Sequence, residues 1–151
     1  MADKRPSPGA KPRRPQVRWT PHRDQYEVAR AAFSVAYMSN AKWYKALRAI
    51  AQAHLHLEYA EWKLIDSDLI SALGVPRERD LLPRRLADGR YQPVEYKWIE
   101  WIRFPRAYHP KPGVGLVVEQ DLDGLRRVLA EVGQFYIEED DRQVTLFGYG
   151  R

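Results

Sequence analysis

The most distinctive pattern of apolar and polar positions lies in residues 94–104. Apolar side chains recur there at every second position, which predicts a β-strand with one face toward a core. The apolar members of that face are Val94, Tyr96, Trp98, Ile102 and Phe104, and its sixth member is Glu100. The opposite face holds Glu95, Lys97 and Arg103, together with Ile99 and Trp101. Because each face carries large apolar side chains, the pattern predicts a strand that is covered on both sides.

Two other segments have the 3.6-residue period of amphipathic helices. The first spans residues 41–54 and follows Ser39 and Asn40, which both favour the N-cap position. Its stripe consists of Trp43, Ala46, Leu47, Ile50, Ala51 and His54. The second helix begins after a capping residue, Asp121, and ends at Gly133. Its stripe consists of Leu122, Leu125, Val128, Leu129 and Val132.

Four shorter apolar runs predict further strands. Residues 57–65 and 69–73 flank a turn at 66–68, and residues 135–138 and 144–149 flank an acidic turn. Prolines and glycines mark the long connections between the elements as loops. The predicted order is α-β-β-β-α-β-β, which indicates an α+β fold with two helices packed on a single antiparallel sheet.

The positive charge of the chain is concentrated at its start. The 151 residues have a formal net charge of +5, and residues 1–30 contain eight lysines and arginines against three acids. Lysines and arginines equal acids in residues 31–151, so the rest of the chain is neutral. Five prolines in the first 24 residues predict a disordered basic tail, and residues 24–37 are compatible with a short helix. We therefore expect a leader over residues 1–37 and one α+β domain over residues 38–151.

The absence of cysteine removes several classes of site. Without cysteine the chain has no disulfide, thiol nucleophile, iron–sulfur cluster or Cys-ligated zinc. Its apolar runs are too short for a membrane span or a secretory signal. We expect a cytoplasmic protein that needs no cofactor and does not bind a membrane.

Four short strings of residues are similar to a known family. They are Ser39-Asn40-Ala41-Lys42-Trp43, Glu61-Trp62-Lys63 with Asp66-Ser67-Asp68, Trp98-Ile99-Glu100-Trp101-Ile102, and Glu119-Gln120-Asp121-Leu122. Together they resemble a family of small bacterial proteins of unknown function, over about residues 38–150. Members of that family begin close to the Ser-Asn string, so the resemblance implies a natural start at Met38. It implies no activity.

Two histidines and one glutamate are the candidates for chemistry. His54 and His56 could ligate a metal with Asp66 or Asp68, but their spacing matches no established zinc site. Because His54 also fits the helix stripe, we predict no metal site. Glu100, if it faces the core, would have a raised pKa and could act as a general acid. A β-bulge near Ile99 that puts Glu100 and Arg103 on the solvent side and Trp101 inside, or an ion pair with an arginine, explains Glu100 more simply.

Aromatic and cationic side chains suggest an interaction surface on the 94–104 strand and the 75–93 connection before it. Such residues supply much of the binding energy at protein interfaces. The predicted interaction residues are Ile99, Trp101, Arg103, Lys97, Arg84, Arg85 and Arg90. Three acids interleave with the five arginines of residues 75–93, which leaves too little positive charge for a nucleic-acid site.

These observations favour a non-enzymatic protein-binding domain. Nucleophiles, metal ligands and phosphate-binding loops are too few to build an active site by the usual criteria. By analogy with other small bacterial proteins, we expect an immunity or accessory protein whose partner is another protein. The alternative is a nucleic-acid-binding or ribosome-associated protein that uses residues 1–30. A third hypothesis is an enzyme centred on Glu100.

Overall fold

The computed structural model describes residues 23–87 and 94–151, with side chains from Tyr26 onward. This part of the chain contains three α-helices and nine short β-strands. The helices are α1 (Arg23–Ala31), α2 (Asn40–Gln52) and α3 (Leu122–Val132). The strands are β1 (Val35–Ala36), β2 (Glu61–Leu64), β3 (Ile70–Ala72), β4 (Ile99–Pro105), β5 (Ala107–Tyr108), β6 (Val118–Glu119), β7 (Ile137–Glu139), β8 (Gln143–Phe147) and β9 (Tyr149–Gly150).

A five-stranded sheet forms the centre of the fold. Its strand order is β3-β2-β4-β8-β7, and every neighbouring pair is antiparallel. All five strands overlap the segments that the sequence predicts as strands, and α2 and α3 lie where it predicts the two helices. The prediction of a mixed helix-and-sheet fold with a mainly antiparallel sheet is therefore confirmed.

The prediction of one sheet and two helices is wrong. Two additional two-stranded sheets pair β1 with β9 and β5 with β6, and α1 is a third helix. The element order differs for the same reason. Elements α1 and β1 precede α2, strands β5 and β6 lie between β4 and α3, and β9 follows β8. Each extra strand has only two residues, too few for an alternating pattern to appear in the sequence. Their pairing depends on contacts with distant parts of the chain.

Helices α2 and α3 pack against one face of the five-stranded sheet, here called the inner face. Both helices carry an N-cap: the Ser39 hydroxyl accepts a hydrogen bond from the Lys42 amide at 3.1 Å, and the Asp121 carboxylate accepts one from the Gly124 amide at 2.8 Å. Each cap stabilises its helix by about 1 kcal/mol. The residues that join the helices to the sheet in one buried core include Trp43, Leu47, Leu125, Leu129, Trp62, Ile102, Phe104 and Leu146.

The segment before α2 also packs on the domain. Phe33 lies in a small buried cluster with Ile65 and Tyr149, and the hydroxyls of Tyr26 and Tyr149 are 3.1 Å apart. Strand β1 pairs with β9, which places residues 35 and 36 in a two-stranded sheet. The boundary between a leader and a domain at Met38 stays a prediction, and the tail predicted before residue 23 lies outside the described residues. None of the described helices has the length and apolar character that crossing a bilayer requires.

Candidate interaction surface

A β-bulge at Glu100 determines which side chains of β4 face outward. Trp101 is the register partner of Lys63, whereas Leu64 pairs with Ile99, so Glu100 is the extra residue. Residues 96–98 form a 3-10 turn before this bulge, so the predicted continuous strand over 94–104 is wrong. The bulge reverses the alternation, and Ile99 joins Ile102 in the buried core.

The other side of the sheet, here called the outer face, is defined by its register. Antiparallel partners project to the same face, and Trp101 pairs with both Lys63 and Phe147. Arg103 likewise pairs with Glu61 and Thr145. None of these residues belongs to the core formed beneath α2 and α3. Trp101 and Phe147 are half-buried, so each keeps part of its ring accessible to solvent.

Two ion pairs organise the charges on the outer face. The Lys63 Nζ donates to Glu100 Oε1 at 2.6 Å, and these side chains are only 16% and 11% exposed. The Arg103 Nε donates to Glu61 Oε1 at 2.9 Å, and the guanidinium carbon lies 4.7 Å from the centre of the Trp101 ring. The two cations and two anions cancel, which leaves the middle of this face without net charge.

Aromatic rings continue from Trp101 across the outer face. The ring of Phe147 meets that of Tyr136 edge-on, with centres 5.6 Å apart. Tyr136 stacks on Tyr37 with centres 4.4 Å apart, and Tyr136 is 44% exposed. The pKa of Tyr136 is raised, chiefly by the nearby carboxylate of Glu138. Trp101, Phe147, Tyr136 and Tyr37 form what we call the aromatic row.

The predicted interaction residues are only partly brought together. Trp101 and Arg103 are neighbours on the outer face, but the prediction that Ile99 lies there is wrong, because Ile99 is fully buried. Lys97 is exposed on the 3-10 turn, where its Nζ lies 4.9 Å from the centre of the Tyr26 ring.

Two arginines of the 75–93 connection, Arg84 and Arg85, lie next to that same turn. The Arg84 carbonyl accepts a hydrogen bond from the Tyr96 amide at 3.0 Å, and Arg85 forms an isolated bridge with Glu95. The side chain of Arg84 is exposed, whereas Arg85 is half-buried and donates to the carbonyl of Leu86 at 3.1 Å. Arg90 lies outside the described residues.

The catalytic and metal candidates have ordinary structural positions. Glu100 is on the bulge and paired, although its partner is Lys63 and not an arginine as the sequence suggested. His54 follows the end of α2 with a φ of 50°, and His56 is exposed in the loop after it. The described part of the chain contains no group of three or more His, Asp or Glu side chains placed to hold a metal ion.

One open groove of about 490 Å³ lies beside the end of α2. Ile50, Leu57 and Val75 provide apolar lining, while His54 and Arg77 contribute charged or polar groups. The glutamate at the rim, Glu78, is engaged by the Gln52 amide at 3.0 Å.

Sequence reasoning missed Phe147, Tyr136 and Lys63 as members of the surface. Phe147 could have been found, because Val144 and Leu146 alternate with it and predict the opposite face. The role of Lys63 depends on the bulge, which pairs it with Trp101 and Glu100. Tyr136 precedes β7 and meets Phe147 only through the β7–β8 pairing.

Comparisons with protein-family models, curated proteins and solved structures found no match to this chain. The resemblance to a bacterial family therefore stays a prediction, and functional inference rests on the geometry of the surface.

Proposed function

We propose that this protein is a non-enzymatic protein-binding domain, of the immunity or accessory type, that binds a partner protein through the outer face of its five-stranded sheet. The observation that carries the proposal is the position of Trp101, half-buried at the centre of that face and outside the protein's own core. A tryptophan that only stabilised the fold would be expected on the inner face, where Trp43 and Trp62 are buried.

The surroundings of Trp101 support a role as a binding residue. The guanidinium of Arg103 lies over its ring, and the ion pair with Glu61 fixes that guanidinium in place. Side chains already held in one conformation lose less entropy on binding. Tryptophan, tyrosine and arginine are the residues enriched at energetic centres of protein interfaces. The rest of the aromatic row extends the contact area toward Tyr136.

The charges of the outer face favour a protein partner over a nucleic acid. Recognition of a phosphate backbone relies on an excess of lysine and arginine. Here each cation near Trp101 is paired with a carboxylate: Lys63 with Glu100, and Arg103 with Glu61. A neutral, aromatic centre with paired charges around it fits the composition of protein interfaces.

The alternative function uses a different part of the chain. The basic residues 1–30 carry a net charge of +5, which is suited to RNA or DNA. Binding of that kind would weaken steeply with salt and would not depend on Trp101. An enzyme centred on Glu100 has less support, because Lys63 occupies the carboxylate at 2.6 Å.

A comparative capture experiment separates these proposals. The full-length protein and two variants are used as baits in extracts of the source cell, with and without nuclease treatment. One variant is Trp101→Ala, and the other has the six lysines and arginines of residues 1–18 replaced by serine. We expect a protein that is retained by the wild type and the serine variant and lost from Trp101→Ala. Recovery that depends on the basic residues and disappears with nuclease would contradict the proposal and support the nucleic-acid alternative.

A further inference from the structure

Among the described residues, clusters of exposed aliphatic side chains occur away from Trp101 at two separate places. The first, which we call the tip, is the loop between β5 and β6, where Val114, Leu116 and Val117 are 52%, 58% and 49% exposed. The second, which we call the edge, comprises Leu69 and β3 at one border of the five-stranded sheet, with Leu69 66% and Ile70 50% exposed. Aliphatic groups exposed in clusters mark contact sites.

The two places carry opposite charge. Residues 107–118 contain Lys111 and His109 and no acid. Residues 64–76 contain Asp66 and Asp68 and no lysine, arginine or histidine, and the lysine opposite Ile70, Lys63, is neutralised by Glu100. An apolar loop next to a cation therefore complements an apolar strand next to two carboxylates, and both surfaces belong to the same chain.

The backbones of the tip and the edge are complementary as well. Strand β3 is a border strand with neither charge nor proline, two of the features that protect a sheet edge from pairing. Residues 115–117 have no regular secondary structure and lead directly into β6. The loop is nevertheless held in shape, because His109 Nδ1 lies 3.2 Å from the Leu116 carbonyl and the Val114 amide donates to the Lys111 carbonyl at 3.3 Å. A segment of this kind can add to an open sheet edge.

The tip and the edge of one molecule lie toward opposite ends of β2. Tyr108, at the base of the tip, stacks on Tyr59 before β2 begins, with ring centres 4.8 Å apart. The turn that leads to the edge, at residues 66–68, comes after β2 ends. Both surfaces stay exposed in the single chain, so neither covers the other.

We propose that the tip of one copy binds the edge of a second copy, so that the protein associates with itself head to tail. The aliphatic side chains of residues 114–117 would lie against Leu69 and Ile70, with Lys111 facing Asp66 and Asp68. Such a contact joins two different surfaces, so each bound pair keeps one free tip and one free edge. Further copies add until a ring closes, and the contact uses the border of the outer face at Ile70 without involving Trp101.

Sedimentation of the full-length protein tests this proposal. The mass should rise with concentration between about 1 μM and about 1 mM, a range that covers ordinary weak self-association. Leu116→Gln at the tip and Leu69→Gln at the edge should each weaken association by about tenfold or more, while Val28→Gln, an equally exposed site on α1, should change it by less than about twofold. A wild-type protein that stays monomeric over this concentration range would overturn the proposal. That holds even if the tip is then found to bind anionic lipid vesicles.

Mixing the two variants tests the head-to-tail geometry. Leu116→Gln retains an intact edge and Leu69→Gln an intact tip, so a mixture should form dimers and nothing larger. Lys111→Glu and Asp68→Lys should each weaken association, and the combined variant should recover it because the charges are exchanged. Failure of the mixture to form dimers, or no recovery in the combined variant, would contradict a contact between the tip and the edge.

Discussion

At the scale of single residues, one bulge accounts for the unusual composition of β4. By adding Glu100 to the strand, it turns Ile99 into the core and leaves Trp101 on the outer face. The extra carboxylate then needs a partner in a place with little access to water, and Lys63 provides it at 2.6 Å. The pair is therefore a structural consequence of the bulge, and it neutralises the charge of Lys63 beside Trp101.

The Lys63–Glu100 pair should matter for stability chiefly when one partner is removed. Glu100→Ala leaves the Lys63 ammonium poorly solvated, and we expect the free energy of unfolding to fall by about 2 kcal/mol. The double variant Lys63→Met with Glu100→Leu should lie closer to the wild type, since neither charge remains. Denaturant unfolding measures the free energy of unfolding of both variants. The control is Glu78→Ala, which breaks the exposed Arg48–Glu78 ion pair. Equal losses for Glu100→Ala and Glu78→Ala would show that burial of the pair is unimportant.

Two buried tyrosines should make the fold sensitive to alkaline pH. Burial raises the pKa of Tyr96 and of Tyr149 above the ordinary value of 10.0. The folded state therefore keeps protons on these tyrosines that the unfolded chain releases, so their contribution to stability is constant below about pH 10 and falls as the pH rises above it. Tyr96→Phe should reduce the slope of that fall, and should cost about 1 kcal/mol at neutral pH because Leu82 loses its 2.6 Å hydrogen bond. If the stability of Tyr96→Phe fell above about pH 10 as steeply as that of the wild type, the assignment of the alkaline sensitivity to Tyr96 would be contradicted.

At the scale of elements, the sequence predicts the long periodic segments and misses the short ones. Helix α2 and strand β8 have enough residues for a period to be visible, and their positions follow from it. Strands β1 and β9 have two residues each, and only their mutual pairing defines them. The bulge in β4 is set by its two neighbours in the sheet, so local alternation predicts the wrong face for Ile99. Trp101 keeps the outward position that its alternation with Arg103 predicts, whereas the alternative prediction of a bulge with Trp101 inside is wrong.

The contacts of α1 and β1 should determine how far the N-terminal segment can be shortened. Residues 38–151 retain the main core but lose Phe33, which is 5% exposed against Ile65 and Tyr149. We expect this fragment to unfold cooperatively with a free energy lower by about 2–4 kcal/mol, the cost of removing one large buried ring and its strand pairing. A fragment of residues 23–151 is the control and should match the full chain. Loss of the cooperative transition in the 38–151 fragment would place residues 24–37 in the essential core.

At the scale of the whole molecule, the two faces of the five-stranded sheet differ in how they are covered. The inner face packs with α2 and α3 around Trp43 and Trp62, and provides the stability of the fold. The outer face holds a third tryptophan, Trp101, among paired charges and the aromatic row. The proposed function follows from that asymmetry, because the side chains of the outer face are ordered without being enclosed.

The most direct test of the account is the affinity of the captured partner for Trp101→Ala, measured by titration calorimetry with purified proteins. We expect the dissociation constant to rise by about 30-fold or more, which corresponds to the loss of about 2 kcal/mol typical of an interface centre. Thermal unfolding of the variant should confirm that it is folded, and Val28→Ala, a change on the exposed side of α1, should bind like the wild type. A dissociation constant for Trp101→Ala within about twofold of the wild-type value would contradict the account.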